Sequence, residues 1–207
     1  MKAYFLKMFF FFIPLLLFAG EKTNLLDSYE LKKAIDSAVI KLEERENSDG
    51  SLISYIPGKE RPFTGWKKQI RDNDKLRSLE QFKNGQSDGL YLYWWKNGRR
   101  SEEKSHRKGI AHGQWTTWYQ DGSMELKQSV KNGKLHGPAK RWYRNGQKKD
   151  ESFYQEGRII SIVVWKPDGK KCPHTKIVNG NGVWVRYKED GGESWRSNYR
   201  NGEYVLD

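Results

Sequence analysis

From Phe63 to the C-terminus, large apolar side chains recur at fixed offsets from turn-forming dipeptides and not at a helical period. Asn97-Gly98, Asp121-Gly122, Asn145-Gly146 and Asp168-Gly169 mark one set of turns, and Asn84-Gly85, Asn132-Gly133, Asn179-Gly180 and Asn201-Gly202 mark a second. Such pairs supply positive φ at both centres of a two-residue hairpin turn, the geometry expected of the first set. About seven to nine residues separate successive turns, which suits a strand and is too short for most helices. The pattern predicts consecutive antiparallel hairpins.

The hairpins repeat. Gly65, Gly89, Gly113 and Gly137 are each 24 residues apart. Asp74, Gly98, Gly122, Gly146, Gly169 and Gly191 are each followed 11 residues later by Gly85, Gly109, Gly133, Gly157, Gly180 and Gly202. A fixed period of this length is the signature of a repeat architecture. Four residues before the first-turn position stand Ile70, Trp94, Trp118, Trp142, Trp165 and Tyr187, a column of large side chains expected to line up along the array. Phe82, His106, Val130, Tyr154, Ile177 and Tyr199 form a second column on the returning strands. Tyr91, Trp115 and Trp184, two residues after the unit glycine position, fall on the other face by strand parity. In the fifth unit Ser161 takes the glycine's place, as expected of degeneration toward a terminal cap.

The first 62 residues follow other rules. Residues 1–20 carry two lysines, an uncharged run from Met8 to Ala19 and then small residues, the form of a secretory signal peptide. An uncleaved N-terminal anchor is the alternative, although the run is short for a membrane span. Leu31, Ile35, Ala38 and Leu42 share one helical face, and Asp27 with Glu30 has capping-box spacing. One amphipathic helix is expected from about Ser28 to Arg45, ended by Asn47-Ser48-Asp49-Gly50 and packed on the first hairpin. Leu52 to Ile56 reads as a strand pairing with the first repeat. The domain reading is a leader over 1–20, a helix with a connecting strand over 21–62, and an array of about six units over 63–207, the last two degenerate.

Composition narrows the function. Aromatics are 14% and charged residues 31% of the chain, a mixture suited to a half-solvated sheet with large flat side chains and not to a thick aliphatic core. The net charge of +12 favours an anionic partner, yet the cations are spread along nearly every strand, as on solvated sheet faces. Cys172 is the single cysteine, so no intrachain disulfide forms and a cysteine-based zinc site is disfavoured. His174 and cationic neighbours lie beside Cys172, although a buried structural role is the simpler reading.

No catalytic, metal or cofactor-binding residue stands out. His112 and His136 occupy identical positions one repeat apart, but Ile160 takes the third place, which argues for loop hydrogen bonding over metal binding. Glu102-Glu103 and Asp150-Glu151 are adjacent, so on strands they point to opposite faces and cannot act as an acid–base pair. Gly180-Asn181-Gly182 lacks the Lys-Ser/Thr and helix of a phosphate loop. Basic residues among aromatics also suit single-stranded nucleic acid, which ranks below other partners because of the leader.

The runs GQWTTWYQDG, NGKLHG and KRWYRNGQKK resemble the MORN repeat in its bacterial variant form, the group commonly labelled YwqK-type antitoxins, over about residues 63 to 207. The resemblance implies an elongated all-β ribbon with one hairpin per repeat, no cofactor and no catalytic residues. Lys108-Gly109 departs from its Asn-Gly step, and units five and six lack its His-Gly step. The first expectation for function is an exported, non-enzymatic scaffold presenting a concave aromatic and basic surface to another protein or an anionic envelope component. The contact residues would be Tyr91, Trp115, Arg141 and Trp184. An antitoxin or immunity role and peripheral binding to anionic lipid are the alternatives. No small-molecule substrate is expected.

Overall fold

The structure is a computed structural model and describes residues 28–206; the expected leader over 1–20 and the capping residue Asp27 lie outside them. One helix, α1 (Ser28–Ser37), is followed by a small antiparallel pair, β1 (Glu43–Glu46) and β2 (Leu52–Tyr55). The rest is one open sheet. Its strands are β3 (Gly65–Ile70), β4 (Leu76–Lys83), β5 (Gln86–Trp94), β6 (Arg100–Arg107), β7 (Ile110–Ala111), β8 (Gly113–Trp118) and β9 (Met124–Lys131). They continue through β10 (Lys134–Trp142), β11 (Lys148–Gln155), β12 (Arg158–Val164), β13 (Lys176–Val178), β14 (Asn181–Tyr187), β15 (Glu193–Arg200) and β16 (Glu203–Val205). These 14 strands lie in sequence order and pair antiparallel, the short β7 standing beside β6 at a turn. The fold is the elongated all-β array of consecutive hairpins that the turn spacing predicts.

The helix ends earlier than its apolar period suggests. Val39, β-branched and poorly suited to a helix, leaves it to pair with the edge strand β3: its N–H donates to the Trp66 carbonyl and its own carbonyl accepts from Lys68, both at 2.8 Å. Lys68 Nζ also reaches the Ile35 carbonyl at 2.9 Å, meeting one orphan acceptor of the helix end. Residues 43–46 are therefore strand and not helix. Asn47 to Gly50, expected to stop a helix, instead turns the β1–β2 hairpin, with the Asn47 N–H on the Ser51 carbonyl at 2.8 Å. The β2 strand correspondingly pairs with β1 and not with the first repeat. It meets the start of the array through Ile53, which lies against Gly85, and through Ser54, whose N–H donates to the Gly85 carbonyl and whose carbonyl accepts from Phe63, both at 2.8 Å.

The turns differ at the two edges of the sheet, which corrects the expected turn type for the first set. At Asn84-Gly85, Lys108-Gly109, Asn132-Gly133, Glu156-Gly157, Asn179-Gly180 and Asn201-Gly202 both residues have positive φ, as a two-residue turn requires. At the opposite edge only the last loop residue is left-handed, for example Gly98 at φ 84°. There the Trp95 N–H meets the Arg99 carbonyl at 2.8 Å and the Gly98 N–H meets the Trp95 carbonyl at 3.0 Å, enclosing a three-residue loop with a glycine bulge. Asp74, at φ 59°, takes the glycine's place in the first unit.

Register shifts recur near the unit glycine, as between Leu135 and Ala139, and at the column residue, as between Thr117 and Trp118 and between Arg141 and Trp142. The turn edge is laced by repeated backbone bonds. Gly109, Gly133 and Gly157 donate to the carbonyls of Ser87, Ala111 and Leu135 at 2.7, 2.9 and 2.8 Å, each one unit back.

Burial is concentrated at the two ends of the array. Near the N-terminal end, Ala34 and Ala38 of the helix segment pack on Leu79, Leu92 and Trp94. Near the C-terminal end, Tyr143, Ile159, Ile162, Val164, Cys172, Ile177, Trp184, Val185 and Tyr187 form the second cluster. Of the predicted column, Trp94 and Tyr187 are buried, whereas Trp118, Trp142 and Trp165 between them are half-buried.

Candidate functional site

Cross-strand register assigns the two faces, because directly opposed residues in an antiparallel pair share one face. One face runs through Leu92, Glu103, Thr116, Lys127, Lys140 and Glu151. It carries the helix at its N-terminal end and the column tryptophans. Trp94 packs beneath the helix, and Trp118 stands opposite Met124. Trp142 joins Met124, Lys127, Pro138 and Lys140 around a shallow hollow of about 260 Å³.

The opposite face runs through Tyr93, Glu102, Thr117, Leu126, Arg141, Asp150 and Val164. Tyr91, Trp115, Arg141 and Trp184 all fall on it, in two groups.

The first group is built around Lys104. Its ammonium lies 4.1 Å from the centre of the Trp115 ring and 5.9 Å from that of Tyr91, and it pairs with Glu102 Oε1 at 2.8 Å. Trp115 Nε1 donates to the same Glu102 oxygen at 3.0 Å. Tyr91 stands edge-on to His106 and stacks on Tyr93, both at 6.5 Å. Burial pushes the His106 imidazole below its ordinary value and the Tyr91 hydroxyl above its own. Arg77, whose Nε donates to Tyr93 at 2.7 Å, holds that hydroxyl below the usual tyrosine value.

The second group lies near the C-terminal end. Arg141 Nε donates to the Asp150 carboxylate, 3.0 and 3.1 Å from its two oxygens, and the Arg141 guanidinium lies 5.0 Å from the Trp184 ring centre. Arg186 lies 4.2 Å from the same ring and 4.7 Å from that of Trp195. Trp184 meets Trp195 edge-on at 5.9 Å. Asp150 is buried, and that burial pushes its carboxyl above the ordinary range against the pull of Arg141. Trp184 is 3% exposed, so it backs this surface and cannot serve as the direct contact expected of it. Its accessible neighbours are Arg141, Arg186 and Trp195.

A second ladder was not anticipated from the sequence. In the first four units the residue after the column position reaches the column carbonyl of the next unit. Arg71 Nη2 donates to the Trp94 carbonyl at 2.6 Å, Trp95 Nε1 to Trp118 at 3.0 Å, Tyr119 to Trp142 at 2.8 Å and Tyr143 to Trp165 at 2.8 Å. The doublets Trp94-Trp95, Trp118-Tyr119 and Trp142-Tyr143 were the available signal.

The remaining candidates are structural. His136 Nδ1 lies 3.1 Å from Glu156 Oε1, while His112 Nδ1 is buried without a partner among the described residues. Cys172 is buried with its Sγ 3.0 Å from the Tyr187 hydroxyl. Compared with known proteins, the chain matches no family model and no curated sequence.

Proposed function

We propose that the protein is an exported, non-enzymatic β-repeat scaffold of the MORN-variant kind. It binds another protein or an anionic envelope component through the sheet face that carries Tyr91, Trp115 and Arg141. The observation that carries this reading is the clustering of cations with aromatic rings on that face at two separated places, around Lys104 and around Arg141 and Arg186. Aromatic and arginine side chains supply most of the energy at protein interfaces, and a net charge of +12 steers anionic partners toward them. The opposite face is already covered by α1 at one end.

A photo-crosslinking residue placed at Tyr93 or Gln128 on the proposed face, and at Lys127 or Lys140 on the other, tests this in cells that express the protein. Adducts are expected from the first pair in the exported fraction, and from neither of the second. Equal labelling from both faces, or an intact Met1 chain confined to the cytosol, would refute it.

A further inference from the structure

The cluster at the C-terminal end of that face holds an imbalance of charge. Two guanidiniums, Arg141 and Arg186, lie over one buried tryptophan ring, with Asp150 as the only carboxylate among the described residues hydrogen-bonded to either. Asp150 is engaged by Arg141 through Nε. Arg186 has no hydrogen bond or ion pair among the described residues, and its Nε is buried without a partner. The Trp184 indole N–H and the Arg186 Nε are thus two buried polar atoms left unsatisfied at one ring among the described residues. Buried donors of native proteins are normally paired, and an unpaired charged one is costlier still.

We propose that Arg141 and Arg186 form a carboxylate-binding site that receives an acidic side chain of a protein partner, with Trp184 and Trp195 as its aromatic wall. This deepens the scaffold reading and rests on it for the face that a partner approaches. Three features select the ligand. A guanidinium stacked on indole rings keeps its donors in the plane of the fork, the geometry that a planar carboxylate accepts bidentately. The site's formal charge is one positive unit, which one monovalent carboxylate cancels and a phosphate dianion exceeds. Burial, and after it the proximity of Arg141, pulls the Arg186 guanidinium below its ordinary value, a cost that an anion beside it would relieve. Arg141 is 29% exposed and Tyr204, stacked on Trp195 at 6.1 Å, is 51% exposed, so the wall borders solvent.

The test is a titration of the full-length protein followed through its tryptophan indole N–H resonances at low salt. The probes are an N-acetylated, C-amidated tri-glutamate peptide, its tri-glutamine counterpart, and inorganic phosphate. The glutamate peptide is expected to shift the Trp184 and Trp195 signals saturably and the glutamine peptide to leave them in place. Arg186→Gln should weaken the effect about tenfold, the cost of one charge-assisted bidentate contact. Arg186→Lys, which keeps the charge and loses the fork, should fall between and remains informative should Arg186→Gln unfold. Shifts confined to Trp115 would overturn this site while leaving the scaffold reading in place. Equal response to the glutamine peptide or stronger response to phosphate would overturn the carboxylate assignment. No response of Trp184 and Trp195 to any probe would overturn the site.

Discussion

Removing the Tyr143 hydroxyl tests whether the side-chain ladder holds successive units together. Tyr143 is fully buried, and its hydroxyl donates to the Trp165 carbonyl of the next unit at 2.8 Å. Phenylalanine keeps the ring and its packing but strands a carbonyl away from water. Leaving one partner of a buried hydrogen bond unsatisfied costs about 1–3 kcal/mol. Tyr119 makes the equivalent bond to Trp142 from a half-buried position where water can replace the lost donor. Tyr119→Phe should then cost nearer 0.5–1 kcal/mol.

For a chain of this length each kcal/mol moves the melting temperature by about 2–4 °C, so the two variants separate in thermal unfolding followed by circular dichroism. An alkaline arm adds a second readout. Burial pushes the Tyr119 hydroxyl up to about 12 and the Tyr143 hydroxyl higher still. A folded-state value above the unfolded one, about 10, means that this stabilisation is whole below pH 10. It is lost as the pH rises through the folded value. Wild-type protein should lose stability steeply above about pH 10, and the double variant Tyr119→Phe/Tyr143→Phe should lose less of it over that range. A Tyr143→Phe melting temperature within 1 °C of wild type, or equal losses for both single variants, would refute the ladder's role.

Gly85→Ala and Gly109→Ala both place alanine at φ 77°, which alone costs about 1–2 kcal/mol. At Gly85 the new Cβ also meets the Ile53 side chain and lies 2.9 Å from the Ser54 carbonyl, whereas at Gly109 it meets open space, so Gly85→Ala should cost about 1–3 kcal/mol more in urea unfolding. Lys108 holds φ 49° on an exposed turn where four other units use asparagine, and Lys108→Asn should raise the melting temperature by about 1–3 °C; a decrease would count against the turn assignment. Asp150→Asn removes the carboxylate nearest Arg141 and Arg186. It should lower the melting temperature while tightening tri-glutamate binding about threefold, and weaker binding would contradict the charge balance proposed for the site.

What the sequence displayed was local chemistry. Asn132-Gly133 and Asp121-Gly122 announce turns because few other residues tolerate the backbone there, and strand parity alone placed Tyr91, Trp115 and Arg141 on one face. The end of the helix was hidden, because Val39 is claimed by Trp66 and Lys68, residues far along the chain whose edge position no local pattern reveals. Burial was hidden for a similar reason. Trp118 and Trp142 share a motif with Trp94, but only Trp94 lies under the helix. Trp184 reads like Trp115 and differs because the C-terminal cluster closes around it.

The two turn types explain how so thin a sheet coheres. The period leaves an even pair of residues for the turns at one edge and three for the loops at the other, so a single kind of dipeptide serves two geometries. At the tight edge the glycine N–H is free to point at the preceding unit, and Gly109, Gly133 and Gly157 all use it so. At the wider edge the carbonyls of Trp118, Trp142 and Trp165 accept from the side chains of Trp95, Tyr119 and Tyr143 in the preceding unit. Units one to five are thereby fastened to their neighbours at both rims as well as along their strands. Stability in such an array is a sum of neighbouring interfaces, so damage at Tyr143 should loosen the units around it before it reaches Trp94 at the far end.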